Sequence, residues 1–174
     1  MALNIIKWTA LGVGLALAAA LDVRSRRIPN ALTVPLALLG FALGAANGAA
    51  GLRRSAIGFT VALLFGVLLW LLGVIKAGDA KLMAAIGAVQ GTLWFVNCMT
   101  WALLTGLVLG LVILIRKGAL GERMKRLGAY FKGILLSHRF RQYAAQEGTE
   151  RELPFAIPIL IGAILTVMIP IWRL

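Results

Sequence analysis

Residues 82–115 read LMAAIGAVQGTLWFVNCMTWALLTGLVLGLVILI and contain no charged side chain. A single membrane span needs about 20 apolar residues, so this run is too long for one span. The polar triplet at 90–92 and the tryptophans that follow it are typical of a turn at the membrane interface. The run therefore predicts two spans, near 80–93 and 95–115, of which the first is short.

Composition extends this prediction to the whole chain. Of the 174 residues, 61% are hydrophobic, and the mean hydropathy is +0.93. Soluble domains are only about 45–50% apolar, because a larger share could not be buried. We predict an all-α polytopic membrane protein in which residues 1–174 form one domain with about six transmembrane helices. The remaining spans are predicted near 3–21, 31–49, 55–75 and 153–172.

The first apolar segment allows a second interpretation. Its end, Ala18-Ala19-Ala20, is similar to the small-residue cleavage site of a signal peptide. The early charge, Lys7, lies inside the apolar run and not ahead of it, which favours a membrane span.

Charge predicts the orientation. The chain has 18 Lys and Arg residues against 6 Asp and Glu residues, a net charge of +12. Because the basic residues lie between apolar runs, we expect them to set the topology and to contact membrane lipids, and we expect no nucleic-acid partner. With six spans, three basic regions share one face, which is predicted to be cytoplasmic. They are the first loop (Arg24, Arg26 and Arg27), the third loop (Lys76 and Lys81) and residues 117–152.

Residues 117–152 are predicted to be a basic cytoplasmic loop with an interfacial helix. Within 117–141, apolar residues recur at steps of three and four, with basic residues between them. Such a helix is typically bound flat on an anionic leaflet, and the alternative is a loop helix that packs on its own protein.

The available side-chain chemistry is narrow. The chain has one cysteine, Cys98, and one histidine, His138. An internal disulfide is therefore excluded, and zinc, Ser-His and Cys-His sites are disfavoured. We expect no metal and no cofactor, so any acid–base groups must be carboxylates or lysines.

The chain has two aspartates, and each follows a long apolar run. Asp22 lies in ALDVRSRRIPNAL (20–32), and Asp79 lies in IKAGDAKL (75–82). A carboxylate near hydrocarbon is costly to ionise, so it is typically paired, buried in the bundle or functional. Taken singly, Asp22 could pair with a nearby arginine, and Asp79 could pair with Lys81 or act as the N-cap of the fourth helix.

Together, Asp22 and Asp79 suggest a catalytic pair, because both are predicted at the same depth on the same face. Two carboxylates within a few ångströms cannot both ionise cheaply, so they share a proton. One then removes a proton from water, and the other protonates the carbonyl oxygen of a peptide. This is the chemistry of an aspartic protease.

Three segments resemble the type IV prepilin peptidase family. LDVRSRRIPNALTVP (21–35) is similar to its first signature, AGDAKLMAAIG (77–87) to its Gly-Asp-x-Lys block, and LPFAIPILIGAI (153–164) to its late Pro-Phe-x-x-Pro segment. The resemblance implies an intramembrane aspartic endopeptidase of the bacterial inner membrane, in the compact form of tight-adherence (Flp-type) pili. Its substrate would be a prepilin, with a basic leader and an apolar helix, cut on the cytoplasmic side. Asp22 and Asp79 match the catalytic aspartates of the family.

One departure from the family pattern is Lys76, in Lys76-Ala77-Gly78-Asp79, where the family usually has Gly-x-Gly-Asp. A lysine beside the pair would favour the ionised carboxylate, unless its long stem carries the ammonium group to the interface. Asn30 could cap the second helix or hydrogen-bond near the site, and Lys81 could position Asp79 or snorkel. The residues expected to support the site or bind substrate are Gly78, Lys81, Lys76, Pro29, Asn30, Pro154 and Phe155.

Two other functions fit the same residues. A small proton- or ion-coupled transporter subunit could use the aspartates for ion binding, although acids would then be expected along a path across the membrane. A non-catalytic partner in pilus assembly is the third possibility, suggested by Lys76. The glycine ladder Gly40, Gly44 and Gly48 favours packing within the chain over dimerisation, and the oligomeric state is not predicted.

Overall fold

The computed structural model describes residues 2–116, 118, 121 and 155–171, and all regular structure among them is helical. This confirms the predicted all-α class. In the described part of the chain the helices are α1 (Ala2–Ser25), α2 (Asn30–Ala46), α3 (Gly48–Leu71), α4 (Ala77–Gln90), α5 (Thr92–Arg116) and α6 (Ala156–Met168). The predicted interfacial helix at 117–141 and the loop around it lie outside the described residues.

Three helices are long and apolar enough to cross a membrane. Among the described residues these are Leu3–Ser25, Gly48–Leu71 and Thr92–Ile113, and the helices Asn30–Ala46 and Ala156–Met168 are apolar but shorter. Helix α4 has only 14 residues, or ~21 Å of length. Each predicted span thus has a helix, and within the part of the chain that the structure describes three of these helices have the length of a full crossing.

Helix α4 is the centre of the bundle. All residues from Leu82 to Gln90 are buried, and α2, α3 and α5 pack around the helix. Small residues allow this close packing: a Cβ atom at Gly87 would overlap the carbonyl oxygen of Gly58 on α3. A short helix that is apolar on all sides is therefore explained by burial on all sides.

The connections between α4 and α5 and between α2 and α3 are tight turns. Helix α4 ends at Gln90, and α5 begins at Thr92 after one residue, Gly91, with φ of 86°. This confirms the turn predicted at 90–92. Gly48, with φ of 79°, starts α3 directly after Asn47. The third span was predicted to begin at residue 55, but the helix begins at Gly48 because this glycine allows the chain to turn within one residue.

The glycine ladder of α2 packs inside the chain. A Cβ atom at Gly40 would lie 2.7 Å from the backbone of Ala88 and Val89 on α4. At Gly44 it would overlap the Ser55 hydroxyl on α3. The prediction of packing within the chain is confirmed at these two positions.

Candidate active site

Asp22 lies in the last turn of α1 and points into the bundle, with 4% of its surface exposed. Its Oδ2 atom accepts a hydrogen bond of 3.3 Å from the backbone N–H of Ala156, the first residue of α6. The first N–H groups of a helix have no partner within that helix, so Asp22 satisfies one of them and lies at the positive end of the α6 dipole. Arg24 and Arg26, the partners considered from the sequence, are exposed instead.

The chain reverses sharply behind Asp22. Arg26 has φ of 54°, in the left-handed region, and its N–H donates to the Asp22 carbonyl oxygen at 2.9 Å. This ends α1 one turn after the aspartate. The turn brings Ile28 back into the core, where only 8% of its surface is exposed.

Asp79 lies in the first turn of α4 and is equally buried, with 4% of its surface exposed. Its Oδ2 atom accepts the backbone N–H of Lys76 at 3.1 Å. Asp79 is not the N-cap residue, which was one of the two local roles considered from the sequence, because α4 already begins at Ala77. Asp79 is the third residue of α4, and its side chain reaches back to Lys76, the residue that precedes the helix, as the acidic member of a capping box does.

Burial makes the Asp79 carboxylate harder to ionise than a carboxylate in water. Burial raises the pKa of Asp79 to about 6, the Lys76 N–H opposes this rise, the Asp22 charge adds to it, and the Lys76 charge opposes it. Helices α1 and α4 are in contact. The two carboxylates therefore lie at the same end of the bundle, close enough for one charge to disfavour the other.

The backbones of the two motifs touch at Gly78. A Cβ atom added there would lie 3.3 Å from Ile28 Cβ and 3.4 Å from the backbone N and O of Ile28. A glycine at this position thus lets the segment after α1 approach the start of α4. Ile28 was not among the predicted site residues, and the available signal was its place in the Ile-Pro-Asn stretch beside Asp22.

A polar bridge joins the same two segments at the surface. Lys81 Nζ donates to Asn30 Oδ1 at 2.9 Å, and both side chains are exposed. Asn30 is therefore not a cap, and of its two predicted roles the hydrogen bond is the one observed. The N-cap of α2 is Pro29, which makes no side-chain hydrogen bond. Its backbone is extended, and its φ of −72° is the value that the proline ring favours and that suits the residue before a helix.

The remaining predicted residues lie around this group. Lys76 is exposed, yet its charge reaches Asp79. Phe155 is partly buried just before α6, and Pro154 lies outside the described residues. Within the described ranges, no group of three or more His, Cys, Asp or Glu side chains could hold a metal ion.

Residues 9–115 match the model of the type IV leader peptidase family, and this range includes both aspartates. It covers more than half of the chain, whereas the segment around Phe155 lies beyond it. No significant match is found among curated proteins or among solved structures.

Proposed function

Since the chain belongs to the type IV leader peptidase family, we propose that it is an intramembrane aspartic endopeptidase with Asp22 and Asp79 as its catalytic residues. Membership of the family indicates a peptidase, and the long apolar helices indicate a membrane protein. One observation carries the catalytic assignment: two buried carboxylates from separate motifs lie at the same end of the bundle and interact electrostatically.

In the proposed mechanism, the two carboxylates share one proton. The ionised member takes a proton from a water molecule, whose oxygen attacks the carbonyl carbon of the peptide bond. The protonated member gives its proton to the carbonyl oxygen. When the tetrahedral intermediate collapses, the second carboxylate takes a proton back from one hydroxyl group as the carbonyl reforms. The carbon–nitrogen bond breaks, and the amine leaves with the proton held by the first carboxylate, which restores the pair.

The surroundings of the pair support this exchange of roles. A pKa of about 6 for Asp79 means that this group can hold or release a proton near neutral pH. The N–H groups of Ala156 and Lys76 each bind one Oδ2 atom, so both carboxylates are held in place before substrate arrives. Backbone donors are rigid, so they are expected to keep the carboxylate oxygens in the positions that the reaction requires.

We propose a prepilin-like substrate, with a basic leader and an apolar helix, cut at the cytoplasmic face of the bacterial inner membrane. The carboxylates lie at the ends of helices, so a cut bond at the edge of the membrane could reach them while the apolar helix of the substrate stays in lipid. Exposed basic residues surround this end of the bundle, which supports a cytoplasmic location. They are Arg24, Arg26, Arg27, Lys76 and Lys81.

The test is cleavage of a synthetic prepilin-like peptide by the purified protein in lipid nanodiscs, read by mass spectrometry. We expect one cut between the basic leader and the apolar helix, by the parent and by Ser25→Ala, a matched change of an exposed residue at the same end. Asp22→Asn and Asp79→Asn should give no product although both insert and fold. Near-normal processing by either Asn variant would contradict the proposal.

A further inference from the structure

A polar cavity lies at the other end of the bundle. It has a volume of about 360 Å³ and is lined by the start of α1, the turn between α2 and α3, and the end of α4. Lys7 lines it, and at ~1.5 Å of rise per residue Lys7 lies roughly 22 Å along α1 from Asp22. The cavity is therefore separate from the proposed catalytic pair.

Two cations share this cavity, and no acid lines it. Lys7 and Arg54 are both among the lining residues, none of which is Asp or Glu. Their charges are close enough to repel each other. Lys7 is half-buried and Arg54 is exposed, and an anion between them would offset the repulsion.

One buried hydrogen-bond donor in the cavity wall also lacks an acceptor among the described residues. Gln90 is only 3% exposed, and in the described part of the chain its Nε2 atom has no hydrogen-bond partner. An unmade hydrogen bond at a buried donor is destabilising, so a ligand that accepts this hydrogen bond would be favoured. Arg54 holds this end of α4 in place, because its guanidinium donates to the Gln90 carbonyl oxygen at 3.3 Å.

The start of α3 adds a third set of donors. Ala50 and Gly51, in its first turn, line the cavity. Asn47 precedes the helix but makes no side-chain cap among the described residues, and its Nδ2 atom donates backward to the Leu43 carbonyl oxygen at 2.7 Å. The first N–H groups of α3 are thus uncapped by Asn47, and such a helix end favours an anion.

We propose that this cavity binds a phosphate group, carried by an anionic lipid headgroup or present as free inorganic phosphate. A phosphate offers several acceptor oxygens in different directions, which suits a lysine, an arginine, an amide and a helix start around one cavity. The cavity wall also includes the apolar Leu3 and Leu43. Lipid acyl chains could lie against the exposed apolar surface next to it, where Leu3 is 39% and Ile6 is 45% exposed.

Thermal unfolding of the purified full chain in nanodiscs tests the site without any peptidase assay. The nanodiscs contain a neutral digalactosyl lipid, which carries no phosphate, alone, with phosphatidylglycerol, or with added inorganic phosphate. The variants are Lys7→Gln, Arg54→Gln and the matched control Arg53→Gln, an exposed neighbour on α3 that does not line the cavity. Phosphatidylglycerol should raise the unfolding temperature of the parent and of Arg53→Gln.

Loss of one cation should weaken phosphate-group binding about tenfold, which corresponds to one charge-assisted hydrogen bond. In Lys7→Gln and Arg54→Gln, about tenfold more phosphatidylglycerol should therefore be required to raise the unfolding temperature by the same amount as in the parent. An equal effect of inorganic phosphate would also support the site and would identify the free ion as the ligand. The proposal is overturned if neither source changes the parent, or if Arg53→Gln and Arg54→Gln respond alike.

One further variant, Gln90→Leu, and the independent Lys7→Gln variant keep the test decisive. Arg54→Gln also removes the contact with the Gln90 carbonyl oxygen, so Lys7→Gln carries the comparison if Arg54→Gln does not fold. Gln90→Leu removes the unpartnered donor. It should unfold no earlier than the parent in the phosphate-free lipid alone, and it should respond less to the phosphate group. An undiminished response of Gln90→Leu, together with an undiminished response of Lys7→Gln, would contradict the site.

Discussion

The two ends of α4 have opposite chemistry. At its first turn, Asp79 is buried beside a second carboxylate, and each of the two accepts a backbone N–H from its surroundings. At its last residue, Gln90 lies beside two cations and keeps an unpartnered donor in the described part of the chain. At the carboxylate end each acid thus has a backbone donor, whereas at the basic end a buried donor has no acceptor among the described residues. The first arrangement suits chemistry by a fixed pair of side chains, and the second suits capture of an anion.

The direction of the α4 dipole agrees with this difference. An acid at a helix N-terminus is stabilised by the positive end of the dipole. Asp79 nevertheless has a raised pKa, because burial outweighs the favourable contacts. A carboxylate kept at this cost, with the help of a backbone donor, is typical of a functional group.

The largest expected effect is that the two ends of α4 face opposite sides of the membrane. Ser25 and Asn47 are exposed at the carboxylate end and at the opposite end, so Ser25→Cys and Asn47→Cys should be labelled by an impermeant thiol reagent from opposite sides of the membrane. The background is Cys98→Ala, which removes the buried native thiol. Ser25→Cys should react from the cytoplasm. Labelling of both positions from one side would contradict the placement of the carboxylate end and the basic end at opposite membrane faces.

The next effect is a gain of stability in Asp79→Asn. The pKa of Asp79 is raised from 3.8 to about 6 on folding, so the folded state holds this proton more tightly than the unfolded state. That contribution to stability is fully present below pH 3.8 and is lost as the pH rises through about 6. Above this window the parent carries a costly buried charge, which the neutral amide of the Asp79→Asn variant avoids.

Thermal unfolding of the parent and of Asp79→Asn, measured from pH 4 to about 8, checks this sign. The unfolding temperature of the variant should exceed that of the parent by a few degrees at the alkaline end, and the gap should close toward acid. A variant less stable than the parent at alkaline pH would mean that Asp79 serves mainly to cap α4.

A smaller effect, on the rate of peptide cleavage, is expected when a side chain is added at Gly78, where α4 contacts Ile28. Gly78→Ala would press on Ile28, with contacts of 3.3–3.4 Å, and would move the two motifs apart by a few tenths of an ångström. Peptide cleavage should fall about tenfold, because catalysis depends steeply on the placement of reacting groups. Gly12→Ala is the control, since nothing lies within 4 Å of its added Cβ. Equal rates for the two variants would show that the contact at Gly78 does not position the pair.

The smallest effect concerns Lys76, whose charge lowers the pKa of Asp79. Lys76→Gly should therefore raise that pKa and move the acid limb of the pH–rate profile upward by a few tenths of a pH unit. Lys81→Gln is the matched control, because it removes an exposed lysine at the same end. If both variants leave the acid limb in place, the lysine that replaces the usual glycine has no electrostatic effect on the pair.

The helices could largely be predicted from the sequence because membrane helices are long continuous apolar runs. The start of α4 was misplaced because Ala77 and Gly78 look like a loop, and the hydrogen bond from Lys76 to Asp79 that includes them in the helix forms only in the folded chain. The role of Asn30 was open for a similar reason. Its partner, Lys81, is 51 residues away, so no local pattern could select it.

Most residues of the candidate site were predicted from the sequence, but the contacts that join them were not. Asp22 and Asp79 were singled out because acids are rare in this chain. The donor to Asp22 comes from Ala156, 134 residues later, and depends on how α6 packs against α1. The cavity at Lys7, Arg54 and Gln90 could not be predicted either, because their clustering depends on how three helices meet.

The central claim is that Asp22 and Asp79 work as one unit, and single-turnover cleavage rates of four proteins test it most directly. They are the parent, Asp22→Asn, Asp79→Asn and the double variant, each assayed in the same nanodiscs with one prepilin-like peptide. Removal of either carboxylate should slow cleavage by about 10³-fold or more, and the double variant should be no slower than the single ones, because either loss breaks the shared proton transfer. Losses that multiply in the double variant, or a single variant that cleaves nearly as fast as the parent, would contradict a catalytic pair.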